Sequence, residues 1–413
     1  MKILRDKDKI VSFTKLMMAS VITGIVGGIV GAVFHKSVEL VTELRGENPW
    51  LLYFLPVAGV VIVLLYRLFR LVEQIGTNDI LTAVSEKGKT VPILLAPAIF
   101  LSTVITHMFG GSAGREGAAL QLGGSIAAFF GRIFRIGEKE TPIVIMCGMA
   151  AVFSALFQTP LTATFFAMEV VSVGVIYFSA LVPSLCSALI AYKVALLFGA
   201  HPEFYDVVMP NISLEMCIKV TLLAIFCGLL SIVFCVTMHK TGGLLKKYIP
   251  NSYIRIIAGG AVIVLLTLVL KTYDYNGAGT GIIANAMQGI AKPEAFVLKI
   301  IFTAITIGAG FRGGEIVPTF FIGSTFGCVA AGLVGMEPSM GAAIGLVALF
   351  CGVVNCPIAS IFLSIELFGA EGILFFAIAC GVSYLVSGYY GLYSKQKIMY
   401  SKLRVEYIDQ YTK

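Results

Sequence analysis

Uncharged, apolar stretches recur along the whole chain, at 16–34, 91–114, 141–168, 170–192, 220–238, 316–336, 338–365 and 373–394, with slightly shorter ones at 50–66 and 256–270. Each of the longer runs could cross a hydrocarbon core of about 30 Å, which takes about 20 helical residues. In lipid the backbone must satisfy its own hydrogen bonds, so these runs predict α-helices. A membrane β-barrel would instead show short alternating segments separated by turns, which this pattern excludes. The expected architecture is an all-α polytopic membrane protein.

Composition agrees with the pattern. Of 413 residues 58% are hydrophobic and only 13% charged, with a mean hydropathy of +0.93, against about 25% charge in an average soluble domain. The opening residues MKILRDKDKI carry no small-residue cleavage site, so 16–34 reads as a retained helix rather than a signal peptide. Basic residues at the start (Lys2, Arg5, Lys7, Lys9) and after the last run (Lys395, Lys397, Lys402, Arg404) place both termini in the cytoplasm by the positive-inside rule. A multi-pass protein of the cell membrane follows. The same rule accounts for the net charge of +7, and no nucleic acid is needed to explain it. Nine cysteines lie almost entirely in apolar runs without ligand spacing, and read as packing residues rather than metal or cofactor ligands. Of the four histidines only His107 lies deep in an apolar run, where it reads as packed and hydrogen-bonded.

The chain also resembles itself. "GMAAVFSALFQTPLTATFFAMEVV" from Gly148 aligns without a gap to "GLVALFCGVVNCPIASIFLSIELF" from Gly345, an offset of 345 − 148 = 197. Pro160/Pro357, Phe165/Phe362 and Glu169/Glu366 are identical pairs. At nearly the same offset His35-Lys36 matches His239-Lys240, Gly76-Thr77 matches Gly279-Thr280, and Gly111 and Arg115 match Gly308 and Arg312. The expected organisation is a cytoplasmic segment (1–12), two homologous membrane halves (13–200 and 214–394) joined by a polar linker (201–213), and a cytoplasmic tail (395–413). Duplicated halves in transporters bind substrate near the midplane, where interrupted helices face one another.

Three glycine-marked interruptions precede apolar runs: "QIGTNDIL" from Gln74, "FGGSAGREGAALQ" from Phe109 and "GAGFRGGEIVPTFFIG" from Gly308. A helix starting at each would aim unpaired N–H groups and partial positive charge outward. Such ends hold an anion without a full cation. Glycine alone marks close helix packing as readily; the duplication and the intramembrane charges at Glu116 and Glu315 turn the reading towards function.

These residues resemble the CLC family of anion channels and anion/proton antiporters. Gly114-Arg115-Glu116-Gly117 is similar to that family's "GREGP", Gly76 to Ile80 stand in the place of its "GSGIP", and Gly314 to Pro318 in the place of its "GIFAP". Tyr393 matches the tyrosine whose hydroxyl closes the inner side of the anion site. The resemblance implies a CLC-like fold of two inverted halves with broken helices meeting at mid-membrane, a homodimer with one pore per subunit, and Glu116 as a gating carboxylate that competes with the anion and withdraws when protonated. It further implies an anion path along Thr77, Asn78, Gly114, Ile316, Val317 and Tyr393, chloride or fluoride and protons as substrates, a lipid bilayer as surroundings, and no cofactor. Little sequence follows the last run, so appended regulatory domains are not expected.

Two departures from the family's chloride/proton pattern matter. The usual inner glutamate pair reads Glu169-Val170, so the second carboxylate is missing; Glu169, repeated as Glu366, reads as structural. Glu315 is an addition, and a glutamate in a "GGE" element beside an apolar inner position resembles the fluoride/proton branch. That branch usually puts methionine or asparagine where chloride proteins have the serine of "GSGIP", and here either Thr77 or Asn78 takes that place. The expectation is transport of a small inorganic anion, chloride or another halide, coupled to protons through Glu116, with a slight lean to the chloride type. A fluoride/proton antiporter and a passive channel remain the alternatives. No HExxH, GxSxG or His/Cys cluster suggests an enzyme.

Overall fold

The computed structural model describes residues 2–71, 75–86 and 88–413, with the side chains of 2–9 excepted. Gln74, at the head of the first glycine interruption, and the basic side chains among the first nine residues lie outside that description.

Sixteen α-helices run in two series of eight among the described residues. The first is α1 Lys2–Glu47, α2 Leu55–Leu68, α3 Thr77–Ser85, α4 Leu95–Met108, α5 Glu116–Ile133, α6 Thr141–Phe157, α7 Pro160–Glu169 and α8 Leu181–Leu197. The second is α9 Leu214–Tyr248, α10 Ser252–Leu270, α11 Thr280–Met287, α12 Ala295–Ala309, α13 Ile316–Val334, α14 Pro338–Val354, α15 Pro357–Phe368 and α16 Ile373–Val386. Order and relative lengths correspond helix by helix. A long helix opens each series, and a short one beginning at a Gly-Thr step stands third.

Several apolar runs are not single helices. Run 141–168 breaks at Gln158, whose φ of 57° is left-handed, and run 338–365 breaks at Asn355, also at 57°. Each break lies two residues before a proline, Pro160 or Pro357, that starts the next helix. Proline cannot donate a backbone hydrogen bond and drives the residue before it out of helical geometry, so the chain must leave the helix there. Apolarity hides such breaks, because non-helical backbone at membrane depth is tolerated where protein covers it.

The fold is mostly, not wholly, helical. Strands β1 Ser172–Val173, β2 Lys397–Tyr400 and β3 Tyr407–Tyr411 form a small sheet in that order, β1 parallel to β2 and β2 antiparallel to β3. Residues 395–413, expected as a cytoplasmic tail, supply β2 and β3 and so fold back onto the protein. The sequences KIMY and YIDQY are rich in the aromatic and β-branched residues that fit a half-buried pleated surface, which outweighs their charges.

At the centre α5 packs on α6 and α13 on α14, and these four helices are buried over most of their length. The approach is close enough that a Cβ on Gly148 would overlap the carbonyl oxygen of Gly123, and one on Gly327 that of Gly341. Small residues at these crossings let backbones touch.

The two series also cap each other. Glu169, ending α7, accepts the N–H groups of Ile358 (3.2 Å) and Ala359 (2.8 Å) in the first turn of α15. Glu366 on α15 accepts those of Leu161 and Thr162, both at 2.9 Å, in the first turn of α7, together with the Thr162 hydroxyl. Between them Phe165 stacks on Phe362 at 4.6 Å. Each carboxylate thus satisfies donors that a helix start leaves unpaired and offsets its partial positive charge. Glu169 is engaged in this capping, as its repetition suggested. Replacing Glu366 by alanine removes charge-assisted bonds and strands buried donors, and should cost about 2–4 kcal/mol, read as a lower thermal midpoint in detergent. An unchanged midpoint would show the caps to be energetically neutral.

Candidate functional site

The glycine-rich turns before α5 and α13 meet as a pair. Gly114 and Gly314 exchange two backbone hydrogen bonds, N–H of each to C=O of the other, both 2.7 Å. Antiparallel pairing of two matched turns brings the starts of α5 and α13 together, so donor-bearing ends of both halves face one region.

Glu116, the first residue of α5, is fully buried there. Its carboxylate folds back over the glycine pair so closely that a Cβ on either Gly114 or Gly314 would overlap Oε2. Gly314, where a Cβ would also overlap the backbone nitrogens of Glu116 and Gly117, needs glycine, whereas at Gly114 the overlap is with the carboxylate alone. The N–H groups of Arg115, Glu116 and Val317 turn towards the carboxylate, yet neither oxygen completes a hydrogen bond among the described residues. An acceptor with two oxygens stands at a nest of donors without being locked to it.

Two cavities approach this point and Glu116 lines neither. One, about 200 Å³, is lined by Thr77, Asn78, Gln121, Glu315 and Tyr393, with Lys246, Arg255 and Arg312 adding positive charge. The other, about 180 Å³, is lined by His35, Glu39, Glu43, His107, Arg115 and Glu203. Glu315, half-buried, opens into the first cavity directly before α13. Tyr393 is only 2% exposed, and its hydroxyl has no partner among the described residues. Glu116, Glu315 and Tyr393 lie within electrostatic reach of one another.

Other residues singled out in the sequence take distinct places. Thr77 opens α3; its hydroxyl accepts from Gln121 Nε2 (3.2 Å) and reaches the Gly117 carbonyl (3.4 Å). Asn78 beside it turns its Oδ1 to the N–H of Lys395 (3.1 Å), next to the Tyr393 segment. Both line the Tyr393 cavity. Ile316 begins α13 and is fully buried, while Val317 offers its N–H towards Glu116 and lines a smaller hollow beside Arg115. Arg115 and Arg312, matched by the duplication, take different partners among the described residues. Arg115 bonds the His35 ring at 2.9 Å, whereas Arg312 reaches the Ile75 carbonyl (3.2 Å) and lies over the Tyr66 ring. Each ties its turn to nearby helices. His107 hydrogen-bonds the Thr103 carbonyl through Nδ1 (2.9 Å).

Sequence reasoning did not single out Gln121, although a side-chain amide within an apolar helix was a readable signal. Lys246 and Arg255 gave none, because only folding brings the end of α9 and the start of α10 to the cavity.

Broken helices from two matched halves, meeting around a carboxylate inside the membrane, define a membrane anion transporter. Residues 57–388 match the family described as voltage gated chloride channel, and the chain belongs to that family, the CLC proteins. A "Chloride/fluoride channel protein" of Pseudomonas syringae pv. tomato is 35% identical over 92% of this chain and 86% of its own. An "H(+)/Cl(-) exchange transporter ClcA" of Vibrio cholerae is 25% identical over 88% of this chain and 83% of its own. Among solved structures, a CLC-type fluoride/proton antiporter superposes with a TM-score of 0.89 at 33% identity, covering 94% of this chain and 98% of that one. A slow cyanobacterial Cl−/H+ antiporter superposes at 0.76 with 20% identity, over 90% and 94%, and supports the fold alone. CLC-type anion transport, not enzymatic chemistry, is the protein's activity.

Proposed function

We propose that the chain exchanges fluoride for protons, with Glu116 and Glu315 carrying the proton and Thr77, Asn78, Gly114, Ile316, Val317 and Tyr393 lining the anion path. One observation carries the choice of fluoride. Glu315, the carboxylate added in the "GGE" element, faces the same cavity as Tyr393 and lies within electrostatic reach of Glu116. Val170, at the usual inner glutamate position, is apolar and fully buried, so a proton entering from the Tyr393 side has Glu315 as its carboxylate. The likeness to a fluoride/proton antiporter in both sequence and structure supports the same reading.

In this mechanism an anion entering the donor-lined centre displaces the Glu116 carboxylate, and protonation removes the charge that held the carboxylate there. The cations of the Tyr393 cavity raise the local anion concentration, and helix ends rather than bound lysines hold the ion, weakly enough for release. A homodimer in the cell membrane with both termini cytoplasmic, supported by the basic residues at each end, belongs to the same reading.

The hydroxyl of Thr77 favours a second reading, chloride as substrate. Purified protein in liposomes decides between them. Under a fluoride gradient protons should be driven uphill, with chloride at least about 10-fold less effective, a discrimination of roughly 1.4 kcal/mol. Equal proton pumping by the two halides would overturn fluoride selectivity, and anion flux that moves no protons would overturn antiport.

A further inference from the structure

Tyr393 sits on a stretch without regular structure, between the end of α16 at Val386 and the start of β2 at Lys397. Its hydroxyl has no partner among the described residues, so its ring is positioned by core packing and by its main chain. The neighbouring Leu392 is held by the Val353 carbonyl (3.0 Å) and the His239 ring (3.0 Å), and the bond to the Tyr393 carbonyl from outside its own stretch comes from a residue that follows β3. Thr412 Oγ1 donates to the Tyr393 carbonyl at 2.6 Å, and its N–H to the Gln396 carbonyl at 3.0 Å. The Lys413 N–H reaches the Tyr389 carbonyl at 2.9 Å. Thr412 is buried although it lies in a polar segment.

The hairpin that delivers Thr412 is itself held to the protein. β2 pairs with β1, just beyond the end of α7. In the turn between β2 and β3, Lys402 places Nζ against the Tyr384 carbonyl (2.8 Å), Ser387 Oγ (2.9 Å) and Asn355 Oδ1. Asn355, at the α14–α15 break, donates in turn to the Tyr390 carbonyl (3.0 Å) and Gln396 Oε1 (3.1 Å). A cation partly removed from water is costly unless its donors are satisfied, and here three oxygens of the Tyr393 neighbourhood satisfy it. Both ends of the 387–396 stretch are thereby gripped from the hairpin.

We propose that the β2–β3 hairpin is a clasp that sets the depth of Tyr393 in its cavity, with Thr412 as a positioning residue for the barrier. The proposal rests on the reading of Tyr393 as that barrier. Thr412 touches neither anion nor proton; it acts through the Tyr393 carbonyl. Loss of its hydroxyl bond frees the tyrosine to shift by the fraction of an ångström that distinguishes a closed path from a leaking one.

The test compares Thr412→Val, which keeps the side chain's shape and loses its donor, with Thr412→Ser, which restores the donor, and with Tyr393→Ala, all in liposomes under a fluoride gradient. Thr412→Val should lower the number of protons moved per anion by about two- to ten-fold, with an unchanged thermal midpoint, and Thr412→Ser should recover the native ratio. A native ratio in Thr412→Val while Tyr393→Ala is uncoupled overturns the clasp and leaves the barrier reading standing. A native ratio in Tyr393→Ala overturns both. Should Thr412→Val fail to fold, Lys402→Met, which cuts the clasp at its other end, must show the same fall in ratio, and a native ratio there overturns the proposal.

Discussion

Glu116→Gln should move anions down their gradient while losing anion-driven proton uptake by about 100-fold or more, the scale of a positioned acid–base group. Glutamine has nearly the same shape as glutamate and can neither take nor release the proton. In the proposed mechanism its side chain also lacks the charge with which the carboxylate, lying over the Gly114–Gly314 turn pair, competes with the anion. Anion flux in the variant should lose most of its dependence on pH, since the group whose protonation vacates the site has gone. Proton uptake that persists in Glu116→Gln would remove Glu116 from the proton route. The measurement is paired anion and pH recording on the same vesicles.

Glu315→Gln should lower proton uptake by about 10-fold or more and leave passive anion movement measurable. Glu315 opens to the Tyr393 cavity, whereas Glu116 is sealed from it. The two variants should therefore differ in sidedness: restoring a carboxylate at 315 matters for protons entering from the Tyr393 cavity, and one at 116 for either direction. A merely structural Glu315 would instead show native coupling in the glutamine variant together with a lower thermal midpoint.

Much of this site could be read from side-chain chemistry alone. Charges within apolar runs are expensive, so Glu116 and Glu315 announced themselves, and the duplication set Arg115 beside Arg312 and Gly76-Thr77 beside Gly279-Thr280 as matched positions. Breaks inside uniformly apolar sequence were much less visible. The turns at Gln158 and Asn355 are set by the prolines two residues on, and a proline in an apolar run predicts a kink as readily as a full break. Register within the first glycine turn was equally hidden. Thr77 and Asn78 both line the cavity, and only their partners, Gln121 for one and Lys395 for the other, separate their roles. The hairpin was masked by its charge: Lys397, Lys402 and Arg404 read as a topology signal, while the tyrosines and isoleucines of KIMY and YIDQY carry the strands.

Reciprocal capping by Glu169 and Glu366 has a consequence for biosynthesis. Leu161 and Glu366 are 205 residues apart, so at about 5–20 residues per second the ribosome needs roughly 10–40 s after making the start of α7 to deliver the carboxylate that satisfies it. Through that interval the first turn of α7 lacks the carboxylate that caps it in the finished fold.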